Sequence, residues 1–159
     1  MKNKISPALS RPMKWLFGLV IFALVFSGFG QMPIFKRYYL ADIPGLAWTA
    51  DFYITLVIHY MAASLLVGLI AYYLFSRRLG GVSWLSFDKR AWFRAGILAW
   101  MIITGAILVA RNLPVVLPGG LITFATLSHV AGTMLLLIMT ATYFWMSRKP
   151  ARERSQIDV

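Results

Sequence analysis

Four long stretches of the chain carry no charged residue, and they restrict the fold more than any other feature. They cover residues 15–35, 52–76, 95–110 and 112–147. About 20 apolar residues of α-helix cross the hydrocarbon core of a bilayer, so each stretch can supply one crossing. The third stretch is the shortest, and it reaches full length when Arg94 and Arg111 extend their charged ends to the two interfaces.

The pattern within these stretches favours helices over strands. Membrane strands alternate polar and apolar residues over about ten positions, and none of the stretches does so. With 60% hydrophobic residues and a mean hydropathy of +0.72, the chain is also too apolar for a soluble domain of 159 residues. We therefore predict an all-α membrane protein, an up-down-up-down bundle of four transmembrane helices. The predicted helices cover approximately residues 13–32, 50–76, 91–111 and 120–146.

The basic residues predict the orientation of this bundle. Thirteen of the sixteen lysines and arginines fall in the two tails and in the connection between the second and third helices. Only Lys36, Arg37 and Arg111 fall on the other side. The positive-inside rule then predicts cytoplasmic tails at residues 1–12 and 147–159, flanking a membrane domain over residues 13–146. We expect a multi-pass protein of the bacterial inner (cytoplasmic) membrane.

The net charge of +11 follows from this topology. It can add some attraction to anionic membrane lipid. No basic face with interleaved aromatic residues lies outside the predicted spans, which argues against nucleic-acid binding.

Two of the apolar stretches contain one histidine each, and these are the only histidines of the chain. His59 lies in FYITLVIHYMAAS and His129 in ATLSHVAGTMLLL. Each follows its predicted helix start, Ala50 or Gly120, by nine residues, roughly 13 Å at about 1.5 Å per residue. The second and fourth helices run in the same direction, so the two histidines are predicted to be level in the outer half of the membrane. Helices placed diagonally across a bundle are too far apart for direct contact, so a wide, flat group is needed between the rings.

Small residues accompany both histidines. Gly28 in LVFSGFG and Gly105 in IITGAIL fall at about the same depth on the first and third helices. The residues three and four positions after each histidine, which share its helix face, are Ala62, Ala63, Gly132 and Thr133. A haem with His59 and His129 as axial ligands accounts for this layer, and the glycines would let two backbones approach the porphyrin.

Other interpretations of the histidines remain open. A histidine in a membrane helix can be an interhelical hydrogen-bond partner, and glycines at helix interfaces can serve ordinary packing. A zinc or copper ion bridging the pair would lack a Cys, Asp or Glu at that level to complete its shell. A proton relay would lack an intramembrane carboxylate. The chain has no cysteine, which excludes cysteine-bound iron–sulfur clusters, disulfides and covalently attached c-type haem.

Over about residues 11–146 the chain resembles the four-helix cytochrome b (gamma) subunit of membrane formate dehydrogenases, NiFe-hydrogenases and thiosulfate reductases. The first helix of that family opens with Arg, two variable residues and His-Trp, and it ends in Ser-Gly; here it reads RPMKW…FSG. His59 matches the family's histidine in the second helix. His129 matches the first of two histidines in the fourth helix, and the second falls at Tyr143. The resemblance implies one b-type haem on the outer side, because Lys14 and Tyr143 stand where the ligands of an inner haem would be.

The resemblance also implies a function. A haem with two axial imidazoles has no open position for a substrate, so its work is electron transfer. Its propionates are expected toward the outer surface, where Arg111, Lys36 and Arg37 could pair with them. The chain would then be an electron-transfer subunit rather than an enzyme alone, with no catalytic residue of its own. It would connect a periplasmic iron–sulfur or multihaem cytochrome subunit, and through it a catalytic subunit, with a quinone. The alternative is a structural or assembly anchor of a respiratory complex, with no haem or with a haem not used in turnover.

Overall fold

A computed structural model of the chain describes residues 10–32, 40–81 and 88–148. These residues form four α-helices, and the described part of the chain contains no strand. The helices are α1 (Arg11–Gly30), α2 (Phe52–Leu79), α3 (Lys89–Ala110) and α4 (Gly119–Arg148), with short 3-10 helices at Leu40–Asp42 and Ala47–Ala50. All four α-helices are long and apolar enough to cross a membrane. The prediction of an all-α protein with four spanning helices is therefore confirmed.

The helix ends lie within three residues of their predicted positions. Even the shortest helix, α1 with 20 residues, is about 30 Å long at 1.5 Å per residue, the thickness of a bilayer core. The third helix begins at Lys89 and includes Arg90 and Arg94. It therefore gains the length that the uncharged stretch alone would not provide.

Two aspartates fix the starts of α2 and α3. Asp51 Oδ1 accepts hydrogen bonds from the backbone N–H groups of Tyr53 and Ile54, at 2.8 and 3.1 Å. Asp88 accepts in the same way from the first turn of α3. These bonds satisfy backbone donors that have no partner within the helix.

Between α1 and α2, the predicted turn at Pro44-Gly45 is confirmed: Gly45 has φ of +87°, and the N–H of Leu46 donates to the carbonyl of Ile43 at 2.9 Å.

The chain divides into two compact units, residues 1–86 with α1 and α2, and residues 87–159 with α3 and α4. In the first unit, Val20 of α1 packs with Ala62 and Leu69 of α2. Toward the connection between these helices, Gly30 lies against Thr55. Later residues of α1 thus lie against earlier residues of α2, so the two helices are antiparallel.

The second unit is also an antiparallel helix pair. Gly132 of α4 lies against Met101 and Ile97 of α3, while Arg94 near the start of α3 contacts Tyr143 near the end of α4. The buried residues on these helices, such as Thr104 and Ala125, are small, whereas large apolar side chains such as Ile103 and Leu127 are exposed. Small residues inside and large apolar residues outside are typical of helices packed within lipid.

Candidate functional site

The first half-site consists of Ser27 and Gly28 on α1 and His59 on α2. Ser27 is completely buried, and its Oγ lies 3.0 Å from His59 Nδ1. The same Oγ is 2.6 Å from the carbonyl oxygen of Ala23, one turn earlier on α1. Next to it, Gly28 faces the imidazole so closely that a β-carbon there would lie 3.4 Å from His59 Cε1 and 3.7 Å from Nδ1.

The second half-site consists of Thr104 and Gly105 on α3 and His129 on α4. Thr104 is 1% exposed, and its Oγ1 lies 3.0 Å from His129 Nδ1 and 3.0 Å from the carbonyl oxygen of Trp100. A β-carbon on Gly105 would lie 3.4 Å from His129 Cε1 and 3.8 Å from Nδ1. Each helix pair thus presents its histidine to a buried hydroxyl and a glycine in nearly the same geometry.

The hydrogen bonds of the hydroxyls indicate the tautomer of both rings. A serine or threonine hydroxyl has one hydrogen to donate and can accept from a second partner. Because the Ser27 and Ala23 oxygens are 2.6 Å apart, the hydroxyl hydrogen must lie between them. Ser27 Oγ then accepts from His59 Nδ1–H, and the lone pair of that imidazole is on Nε2. Thr104 Oγ1 lies 3.0 Å from both the carbonyl oxygen of Trp100 and His129 Nδ1, and 3.2 Å from the carbonyl oxygen of Met101. When its hydrogen is donated to either carbonyl, the ring proton of His129 is on Nδ1 as well.

The glycines and histidines of these half-sites were predicted from the sequence, whereas the two hydroxyls were not. The signal was present: Ser27 and Thr104 each directly precede the glycine, in FSG and ITG. The dipeptides Ser27-Gly28 and Thr104-Gly105, one in each half of the chain, are too short to be recognised as a sequence repeat. The repetition becomes clear only from the structure, in which each dipeptide contacts a histidine with nearly the same distances.

The predicted equal offset of the histidines from their helix starts is wrong. His59 follows the first residue of α2 by seven positions, and His129 follows that of α4 by ten. The glycines shift by the same amount: Gly28 lies two residues before the end of α1, and Gly105 lies five before the end of α3. The second helix pair therefore continues about one turn further beyond its histidine. That the two rings are level in the membrane remains a prediction.

Two of the small residues that follow the histidines on their own helices pack within their helix pair. Ala62 is buried against Val20 and Leu69. A β-carbon on Gly132 would lie 3.1 Å from Met101 Cγ. The space at these positions is used for packing within each helix pair.

The predicted propionate partner that the structure describes and the two residues at the inner ligand positions are all exposed. Arg111 is exposed and directly follows α3, and Lys36 and Arg37 lie outside the described residues. Lys14 is exposed in the first turn of α1. Tyr143 is exposed, and the guanidinium carbon of Arg94 lies 5.1 Å from the centroid of its ring.

Within the described ranges, no group of three or more His, Cys, Asp or Glu side chains is arranged to hold a metal ion. The chain matches no protein-family model, and no curated protein or solved structure is significantly similar to it. The resemblance to cytochrome b subunits therefore depends on the short motifs quoted above.

Proposed function

We propose that the protein is a membrane-anchoring cytochrome b. It carries one b-type haem near the periplasmic side of the bacterial inner membrane, with His59 and His129 as the two axial ligands. Both termini are cytoplasmic. The observation that supports this proposal is the repeated half-site, because the only two histidines of the chain have the same hydroxyl and glycine partners on separate helix pairs.

The donor set fits a haem. An iron porphyrin with two axial imidazoles needs only two protein side chains, and it supplies one-electron transfer without an open position for substrate. Structural zinc sites, in contrast, take four protein ligands. A histidine that ligates a metal through one nitrogen usually donates the other N–H to a nearby acceptor, which fixes the ring and its tautomer. The contacts of His59 and His129 with Ser27 and Thr104 have this character.

Two further sets of residues belong to the proposed site. Gly28 and Gly105 face the edge of each imidazole that contains Cε1 and Nδ1, and their lack of a side chain is proposed to let the two backbones approach the porphyrin. Arg111, Lys36 and Arg37 are the proposed partners of the haem propionates, because charge-assisted hydrogen bonds to carboxylates are strong. No residue is proposed as catalytic.

In this proposal the protein exchanges electrons with a periplasmic iron–sulfur or multihaem subunit of a membrane oxidoreductase complex, and through it with a catalytic subunit. A quinone in the membrane is the other electron carrier. The excess of lysine and arginine in the tails and in the connection between α2 and α3 attracts anionic lipid of the cytoplasmic surface. The family resemblance and the membrane-spanning helices support this assignment.

The haem is tested by a dithionite-reduced optical spectrum of the purified protein and by pyridine haemochrome quantification. We expect one b-type haem per chain, lost in His59→Ala and in His129→Ala. Met61→Ala and Leu127→Ala are matched controls, because each lies two residues from a histidine and its side chain is exposed; both should retain haem. A wild-type protein without haem, or histidine variants with full haem, would contradict the proposal.

Electron transfer is tested separately from haem binding. In membranes that contain the native complex, quinol-linked electron flow should stop in the two histidine variants while the partner subunits remain assembled. If flow continues in a haem-free but assembled complex, the protein is a structural anchor and its haem is not used in turnover.

A further inference from the structure

Two buried hydroxyls contact the proposed haem ligands, and each sits where it can determine which imidazole nitrogen carries the proton. Ser27 and Thr104 are at most 1% exposed. The oxygen of each lies 3.0 Å from Nδ1 of a histidine, and its hydroxyl donates to a carbonyl oxygen four residues earlier, that of Ala23 or Trp100. Neither residue is itself a ligand, since the hydroxyl meets the ring on the side of Nδ1.

We infer, on the basis of the proposed function, that Ser27 and Thr104 are positioning residues that hold both imidazoles as the Nδ1–H tautomer and so direct the lone pair of Nε2 toward iron. Iron takes the lone pair of a neutral imidazole, so a proton on Nε2 would have to move before the ligand could bind. Such a change of tautomer needs one group that accepts the proton at Nε2 and another that donates a proton at Nδ1, and an imidazole already held as the Nδ1–H tautomer avoids it. A hydroxyl whose own hydrogen is donated to the main chain can only accept, which excludes the other tautomer.

The hydroxyls also influence the bound ligand. A hydrogen bond donated by Nδ1–H increases the electron density that Nε2 gives to a metal, and losing such a bond typically lowers metal affinity by about 10- to 100-fold. A more basic ligand stabilises the oxidised iron, so removal of the acceptor should shift the midpoint potential of the haem upward. The two half-sites have similar geometry, and each therefore contributes to this effect.

The tautomer is tested by ¹⁵N NMR of the full-length protein labelled at histidine and prepared without haem, where the two histidines give two pairs of ring nitrogen signals. We expect the Nδ1–H tautomer for both rings in the wild-type protein. In Thr104→Val, which keeps the side-chain shape, the signals of His129 should change while those of His59 do not. Thr104→Ser restores the hydroxyl and should restore the wild-type spectrum.

Thr55→Val is the matched control for Thr104→Val. Thr55 is also fully buried and also donates to carbonyls three and four residues earlier, those of Phe52 and Asp51. A general effect of losing a buried hydroxyl would appear in both variants, whereas the inference requires an effect on His129 in Thr104→Val alone. Ser27→Ala tests the first half-site in the same way, through His59.

The haem-loaded protein gives a second measurement. Thr104→Val and Ser27→Ala should each raise the midpoint potential and weaken haem retention, and Thr55→Val should do neither. An Nε2–H tautomer in the wild-type protein, or a His129 spectrum that Thr104→Val leaves unchanged, would overturn the inference even if haem is bound. Conversely, the wild-type protein could show the expected tautomers and yet bind no haem. That result would overturn the proposed function, but the hydroxyls would still determine the tautomers.

Discussion

The guanidinium of Arg94 lies over the ring of Tyr143, with its central carbon 5.1 Å from the ring centroid. Arg94 is one turn into α3 and Tyr143 is near the end of α4, so this contact joins the ends of the helices that are predicted to face the cytoplasm. A cation over an aromatic face is stabilising by about 0.5–1 kcal/mol at exposed sites. The residue that stands at an inner ligand position in the cytochrome b resemblance thus has a structural partner within its own helix pair.

We predict that Tyr143→Phe leaves the haem content and the reduced spectrum unchanged. Phenylalanine keeps the ring that contacts Arg94 and removes only the hydroxyl, the group that could ligate iron. Lys14→Gln should also have no effect, because Lys14 is exposed at the start of α1. Pyridine haemochrome quantification against the wild-type protein measures this. A loss of haem in Tyr143→Phe would show that the tyrosine hydroxyl takes part in haem binding.

Alanine at Gly28 or Gly105 should weaken haem retention by about fivefold each. A β-carbon at either position would make an ordinary van der Waals contact with the facing histidine, 3.4 Å from Cε1, so the imidazole itself tolerates it. In the proposed site these glycines let the backbone approach the porphyrin, and the added methyl group would occupy that space. Overpacking against a bound group costs about 1–3 kcal/mol, and the lower end of this range is about a fivefold change in affinity.

Gly18→Ala in α1 and Gly96→Ala in α3 are the controls for this prediction, because a β-carbon at either position meets open space among the described residues. All four substitutions favour the helix itself by up to about 1 kcal/mol. Haem loss in the first two variants without loss of thermal stability would therefore separate a local effect at the site from unfolding. Equal haem retention in all four variants would contradict the prediction.

The positions of the helices could be predicted from the sequence because bilayer crossing depends on length and polarity alone. Uncharged stretches and their flanking cations are visible in any window of about 20 residues. The starts of α2 and α3 shifted by two residues because side-chain caps decide them, as Asp51 and Asp88 do here. This small shift was enough to remove the equal offset of the two histidines.

The candidate site could be predicted only in part. His59 and His129 are conspicuous, because an imidazole is rare in a membrane span. The hydroxyls of Ser27 and Thr104 were not conspicuous, because Ser and Thr in membrane helices often bond only to their own backbone, as Thr133 and Thr140 do here. Their contact with a histidine depends on the register between two helices, which no single-helix pattern contains.

We predict that Gly30→Ala destabilises the first helix pair, whereas Gly132→Ala is nearly neutral. A β-carbon on Gly30 would lie 3.0 Å from Thr55 Cγ2, and one on Gly132 would lie 3.1 Å from Met101 Cγ. Threonine is branched at Cβ and has little rotamer freedom in a helix, but methionine is flexible and can move aside. We therefore expect a net loss of about 1–2 kcal/mol for Gly30→Ala and a change below about 1 kcal/mol for Gly132→Ala.

Thermal unfolding of the detergent-solubilised protein measures both effects. Thr55→Ser removes the methyl group that the new β-carbon would meet and keeps the hydroxyl. The double variant Gly30→Ala/Thr55→Ser should therefore recover most of the lost stability, and the coupling between the two sites gives the energy of the contact. Stability losses that simply add would show that Thr55 is not the obstacle.

The proposed orientation can be tested by cysteine labelling, because the chain has no cysteine of its own. Val116 lies between α3 and α4 and is 99% exposed, and Leu79 at the end of α2 is 74% exposed. The positive-inside rule places Leu79, next to Arg77 and Arg78, in the cytoplasm and Val116 outside.

In intact spheroplasts, a membrane-impermeant maleimide should therefore label Val116→Cys and spare Leu79→Cys until the membrane is permeabilised. Ser10→Cys, before α1, should behave like Leu79→Cys, since an even number of crossings places both on one side. The reverse labelling pattern would put both termini outside and would place the proposed haem near the cytoplasmic face, where a periplasmic redox partner could not reach it.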